Sequence, residues 1–136
     1  MRSRRNERGT TALEIAIVVP VFLLVIFCIV EVGLWLFARN VATTAAREGA
    51  SVMRISGTLD EPEEFRDIAV ETAEGYAAEL GILRGVEATV SGVEDGRVTV
   101  SVSGEYVDLV PFFPTTVNET VSVEVELFEP DTGELP

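Results

Sequence analysis

The chain opens on a polar, arginine-rich head and passes into an apolar run that begins at Ile15, reaches Val30 without a charge, and continues past Glu31 through Trp35 and Phe37 to Ala38. Residues 15–38 form a helix of about 36 Å at roughly 1.5 Å per residue, enough to cross a hydrocarbon core of about 30 Å. Beyond Arg39 and Asn40 the periodicity stays helical, with Ala42, Ala45, Ala46 and Gly49 at three- and four-residue spacing and no proline before Pro62. One spine is therefore predicted from Leu13 to about Met53, kinked where Pro20 lacks its N–H. A stripe of small residues lets another element approach closely: the spine of a neighbouring subunit, the chain's own sheet, or each at a different height.

Gly57, Thr58 and Leu59 interrupt this pattern, and Asp60 reads as the N-cap of a second helix with Pro62 in its first turn and Glu63 three residues after the cap. Its apolar face is predicted to be Phe65, Ile68, Ala69, Ala73, Tyr76, Ala77 and Leu80, with Glu64, Asp67, Glu71 and Glu74 in solvent and Gly81 ending it. Two alternating runs follow, Val86, Ala88, Val90 and Val98, Val100, Val102, around Glu94, Asp95 and Gly96. A two-residue Asp-Gly turn would pair Val93 with Val98, place Val90 opposite Ser101 and send the two apolar sets to opposite faces, so it is rejected. A three-residue loop, with Glu94 and Asp95 in a type I turn and Gly96 left-handed, instead pairs Val90 with Val100 and Ala88 with Val102 on one face. The prolines of Val110-Pro111-Phe112-Phe113-Pro114 exclude a central strand; its aromatics either fold under the sheet or form an exposed patch. The last strand is marked by Val121, Val123, Val125 and Leu127, after a turn at Asn118-Glu119-Thr120. The expected fold is α+β: a long amino-terminal transmembrane spine, a short second helix, and a three-stranded antiparallel sheet packed on the spine.

Charge is sharply divided. Residues 40–136 hold 20 carboxylates and 5 arginines, whereas Arg2, Arg4, Arg5 and Arg8 stand at the head against Glu7 alone. An acidic domain repels nucleic acid and anionic lipid, and a basic head is retained on the cytoplasmic side of a membrane. Histidine and lysine are absent, which removes the commonest general base, the commonest zinc ligand and Schiff-base chemistry. The single cysteine, Cys28, sits in the apolar run as a small filler. The carboxylates of the second helix read as a solvated face, and the acidic tail at 131–134 lacks the oxygen spacing of a calcium loop. No metal or cofactor is expected, and no nucleophile has a base beside it.

Two carboxylates interrupt the spine, Glu14 at its mouth and Glu31 toward its far end; a carboxylate so placed is a functional hypothesis. A basic head ending in Gly9, Glu14 five residues later and a long apolar helix resemble the signal of type IV pilin-like precursors. The wider pattern, through Val19-Pro20 to Ala45-Ala46-Arg47-Glu48-Gly49-Ala50, resembles the TadE-like family of the tight-adherence (Tad/Flp) pilus apparatus over roughly the first 55 residues. The resemblance implies cleavage by a prepilin peptidase between Gly9 and Thr10, with Ile15 standing where pilin-like members often carry an aromatic. It implies that the chain is a structural or assembly component, a minor pseudopilin, whose partners are that peptidase, other pilin-like subunits, Tad apparatus proteins and membrane lipid. Glu14 would then meet its own new amine or that of an incoming neighbour, fixing axial register. Glu31 is expected to snorkel to the outer headgroups, or with Gly33 to line a contact with another small membrane subunit.

The expected organisation is a leader at 1–9, a transmembrane helix at 10–38, its extracytoplasmic continuation at 39–55, a small α+β domain at 56–130 and a tail at 131–136. That describes a single-pass protein of the bacterial inner membrane with its amino end in the cytoplasm. The other function class compatible with the sequence is an unprocessed single-span adaptor whose outer domain binds another envelope protein.

Overall fold

The computed structural model describes residues 4–56 and 62–125. Two helices precede three strands: α1 (Arg4–Ser56), α2 (Pro62–Glu79), β1 (Leu83–Val90), β2 (Arg97–Tyr106) and β3 (Thr116–Glu124). The strands form one antiparallel sheet in the order β1-β2-β3, and the expected α+β architecture is the one observed. One face of the sheet is covered by helices, α1 lying against β2 and β3 and α2 against β1 and α1.

The spine is longer than its apolar pattern, starting at Arg4 instead of Leu13 and ending at Ser56, with Pro20 inside it. Its character changes at Glu31. From Thr11 to Val30 every side chain is exposed apart from the half-exposed Cys28. From Glu31 onward a buried or half-buried stripe runs through Leu34, Trp35, Ala38, Ala42, Ala45, Ala46, Gly49, Ala50 and Met53. The small residues thus receive the chain's own α2 and sheet. The approach is close at Gly49, where a Cβ would stand 2.9 Å from the Ala69 carbonyl oxygen, 3.1 Å from Ala73 Cβ and 3.3 Å from Val100 Cγ1.

On α2, Ala69, Ala73 and Ala77 are buried, with Phe65, Val70 and Tyr76 packed around them. Ile68 and Leu80, expected on this face, are exposed, because alanines alone fill the narrow gap to α1. Glu74 is not simply solvated: its Oε1 accepts the Ala88 N–H at 3.0 Å and so occupies the free edge of β1. Gly81 closes the helix with φ 66° and an N–H bonded to the Ala78 carbonyl at 3.1 Å. Asp60, the expected cap, and Leu127 lie outside the described residues.

The apolar register holds, with Val90 opposite Val100 and Ala88 opposite Val102. The loop that produces it differs from the expected one. Glu94 and Arg97 exchange both main-chain hydrogen bonds, at 3.0 and 2.9 Å, around Asp95 and Gly96, whose φ values of 51° and 74° have the signs of a two-residue type I′ turn. The extra residue is absorbed earlier, at 91–93, where Ser91 Oγ accepts the Thr99 N–H at 2.9 Å in place of a ladder carbonyl. A second irregularity, between Arg84 and Glu87, includes the left-handed Gly85 (φ 56°) and brings Leu83 to the same inner face as Ala88.

Asn118, Glu119 and Thr120 are not a turn but the middle of β3, paired with Ser103, Val102 and Ser101. On the outer face, hydroxyls pair across strands, Thr99 with Ser122 at 2.9 Å and Ser101 with Thr120 at 3.0 Å.

Candidate functional site

Thr10 and Glu14 are four residues apart on one unbroken helix, so they share a face about 6 Å apart along the axis. The bond between Gly9 and Thr10 lies inside the same helix. Glu14 is exposed on the isolated chain, flanked by the exposed Leu13 and Ile15. The helix arrangement therefore provides a carboxylate within one turn of where a new amino terminus would stand.

Glu31 occupies a different environment from the one expected. It is fully buried, at 0% exposure, and its Oε2 accepts the N–H groups of Leu109 at 2.7 Å and Val110 at 3.2 Å. The carboxylate expected among headgroups or on a neighbouring subunit is enclosed by its own chain, where it ties the β2–β3 connection to the spine. Gly33, its expected companion, is exposed with open space where a Cβ would be. The other Glu31 oxygen and the Tyr106 hydroxyl are both buried without a hydrogen-bond partner. Burial, and then the neighbouring Glu31 carboxylate, raise the Tyr106 pKa above its ordinary 10.0.

About two turns further along, Arg39 stands over the Trp35 ring, 5.0 Å from its centroid, and pairs with Glu119 of β3. The Glu119 carboxylate raises the Arg39 pKa above its usual value. Two polar attachments, Glu31 to the loop and Arg39 to β3, thus flank the beginning of the small-residue stripe and fix the sheet's height on α1.

The connection itself is apolar and outward-facing. Phe112 is 100% exposed, Leu109 and Val107 are about half exposed, and Phe113 is half-buried. The aromatics do not both fold under the sheet. Phe112 also has φ 92°, a conformation unfavourable for any residue with a Cβ. Neither Glu31 nor this loop was assigned its role by sequence, although a signal was present: Glu31 heads the three- and four-residue periodicity of the buried stripe, being followed at that spacing by Leu34, Trp35 and Ala38.

Among the described residues no group of three or more His, Cys, Asp or Glu side chains could hold a metal ion. The outer-face hydroxyls bond to one another, which positions no base to activate them.

Residues 9–51 match the family model described as TadE-like protein. The resemblance to the TadE-like family is thereby shown over that segment. It contains Gly9, Thr10, Glu14, Glu31, Arg39 and nearly all of the small-residue stripe, while α2 and the sheet lie outside it. The TadE-like family points to a component associated with a Tad pilus, and the family is not known as enzymatic. No curated protein and no solved structure matches the chain. Among the described residues, α1 is the one helix long and apolar enough to cross a membrane, which suggests a single-pass membrane protein.

Proposed function

We propose that this chain is a pilin-like structural or assembly component, a minor pseudopilin, of a Tad-type pilus or secretion machine. It is held in the bacterial inner membrane by α1 with its basic head in the cytoplasm and its α+β domain outside. The observation that carries this reading is the match over residues 9–51, which joins the Gly9-to-Glu14 spacing to a spine exposed all round before Glu31 and packed by its own domain after it. A subunit of that design inserts one part of a single helix in lipid or against other spines and presents the other part as the support of a small domain.

In this reading a prepilin peptidase cuts after Gly9, and the Thr10 amine it frees lies one turn from Glu14. In a bundle of such subunits, Glu14 receives the amine of an incoming neighbour. The attraction of two opposite charges in a poorly hydrated setting is offset by their desolvation, so the pair fixes axial register more than it stabilises the bundle. Glu31 is spent within the subunit, and its contribution to assembly is to hold the domain at one height on the spine.

The adaptor reading also has an observation in its favour: α1 is helical through the Gly9–Thr10 bond, which must unwind to enter a protease. Glu14→Gln tests the assembly role of the carboxylate. The substitution keeps shape and removes charge, so the variant should insert and be processed yet lose crosslinked complex and surface pilus, whereas Ile15→Leu, a neighbouring apolar exchange, should assemble normally. Normal assembly by fully processed Glu14→Gln would leave the carboxylate as an interfacial residue with no part in assembly, whereas a wild-type chain that keeps its leader would favour the adaptor.

A further inference from the structure

The β2–β3 connection combines three properties that are costly in water. Phe112 is entirely exposed, its backbone is held at φ 92°, and Leu109 and Val107 project beside it. Exposed apolar patches mark surfaces that lie against a partner or a membrane, and backbone strain clusters in functional segments. The loop is tied at Leu109 and Val110 to Glu31, and Glu31 is the residue at which the fully exposed part of α1 ends. The exposed apolar stretch that ends there, residues 15–30, is about 24 Å long at roughly 1.5 Å per residue, most of the thickness of a hydrocarbon core. The hydrogen bonds to Glu31 therefore hold the loop at the level where α1 leaves the hydrocarbon.

We propose that the loop 107–115 is a membrane-seating element, with Phe112, Leu109 and Val107 inserted in the outer interfacial layer of the same bilayer that α1 crosses. This rests on the reading of α1 as a membrane anchor. Main-chain polarity supports a partly dehydrated location. Pro111 and Pro114 have no N–H to satisfy, and those of Leu109 and Val110 are both taken by Glu31. Trp35 and Arg39, a ring with a cation over it, lie a little farther along α1, as side chains of the headgroup layer do. Charge narrows the lipid: the domain is acidic and Asp108 is the one ionisable group in the loop, so insertion is apolar and favours zwitterionic headgroups. The spine and the loop then form two contacts with one bilayer, which fixes the domain's tilt on its anchor.

The full chain in phosphatidylcholine nanodiscs tests this with a single reporter. Trp35→Phe removes the chain's one tryptophan, and Phe112→Trp, Phe22→Trp or Ser101→Trp is then added separately. Quenching is compared among lipids brominated near the glycerol end of their acyl chains, which report on Phe112→Trp, lipids brominated deep in the chains, which report on Phe22→Trp, and aqueous acrylamide. The proposal expects Phe112→Trp to emit to the blue of Ser101→Trp, to lose most of its intensity to brominated lipid and to resist acrylamide. Quenching of Phe22→Trp by brominated lipid with none at Phe112→Trp overturns the seating proposal and leaves the anchor intact. Absence of lipid quenching at both positions overturns the anchor itself. A blue shift at Phe112→Trp that grows with protein-to-lipid ratio and ignores brominated lipid makes the loop a contact between copies, and also overturns the proposal.

Discussion

A buried carboxylate that accepts two main-chain N–H groups connects α1 to a loop 78 positions away in the chain. Removing the acceptor by Glu31→Leu strands both donors and should destabilise the domain by about 1–3 kcal/mol, the usual cost of an unsatisfied buried polar group. Glu31→Gln retains an acceptor oxygen and should lose less; thermal unfolding of the full chain in micelles measures both, and equal losses would show that the carbonyl acceptor is irrelevant. Tyr106 supplies a pH dependence. Its folded pKa is raised, so its contribution is fully present below the unfolded value of about 10 and is lost as pH climbs through the folded value. Unfolding should therefore become easier above about pH 10, and Tyr106→Phe should abolish that component while leaving neutral-pH stability unchanged or raised, since it removes a buried hydroxyl that has no hydrogen-bond partner. An unchanged alkaline slope in Tyr106→Phe would remove the assignment. The sequence could locate Glu31 as an unusual residue but not its partners, because main-chain amides carry no side-chain signature.

At the scale of elements, packing on the spine is set by Gly49. Gly49→Ala gains about 1 kcal/mol of helix propensity, yet the added methyl meets a backbone oxygen, and overpacking of this kind costs about 1–3 kcal/mol. A lower melting temperature is expected; a rise would mean that α1 and α2 part without strain. In the hairpin, Gly96→Val should cost roughly 1 kcal/mol or more, because a β-branched residue tolerates positive φ poorly. Asp95→Asn should be neutral or stabilising, since asparagine favours the left-handed region at this turn position. The inner-face register was legible because Val90, Val100, Ala88 and Val102 had to share a core. The turn was not: a two-residue turn and a bulge upstream produce the same facing as a three-residue loop. Likewise β3 begins at Thr116, earlier than its valine alternation, because Asn118 and Thr120 point outward where polar side chains do not disturb a strand. The stripe of Ala42, Ala45, Ala46 and Gly49 identified a close contact without identifying its occupant; small residues record distance, and the chain's own α2 and sheet supply the partner.

For the molecule as a whole, the division at Glu31 organises every other feature. Before it, α1 is available to lipid and to like spines; after it, the helix is the floor of a domain whose outward sheet face is polar and acidic. Sequence made the spine, the basic head and the Gly9-to-Glu14 spacing plain, since each is local. The height at which the domain begins depends on contacts between α1 and residues beyond position 68, and emerges only from the fold. The proposed assembly depends on release of an amine beside Glu14. Its most direct test is the intact mass of the membrane-extracted chain after co-expression with its cognate prepilin peptidase, compared with Gly9→Leu. A wild-type chain beginning at Thr10, with Gly9→Leu left uncut, is expected. A wild-type chain still beginning at Met1 or Arg2 would contradict the pilin-like reading.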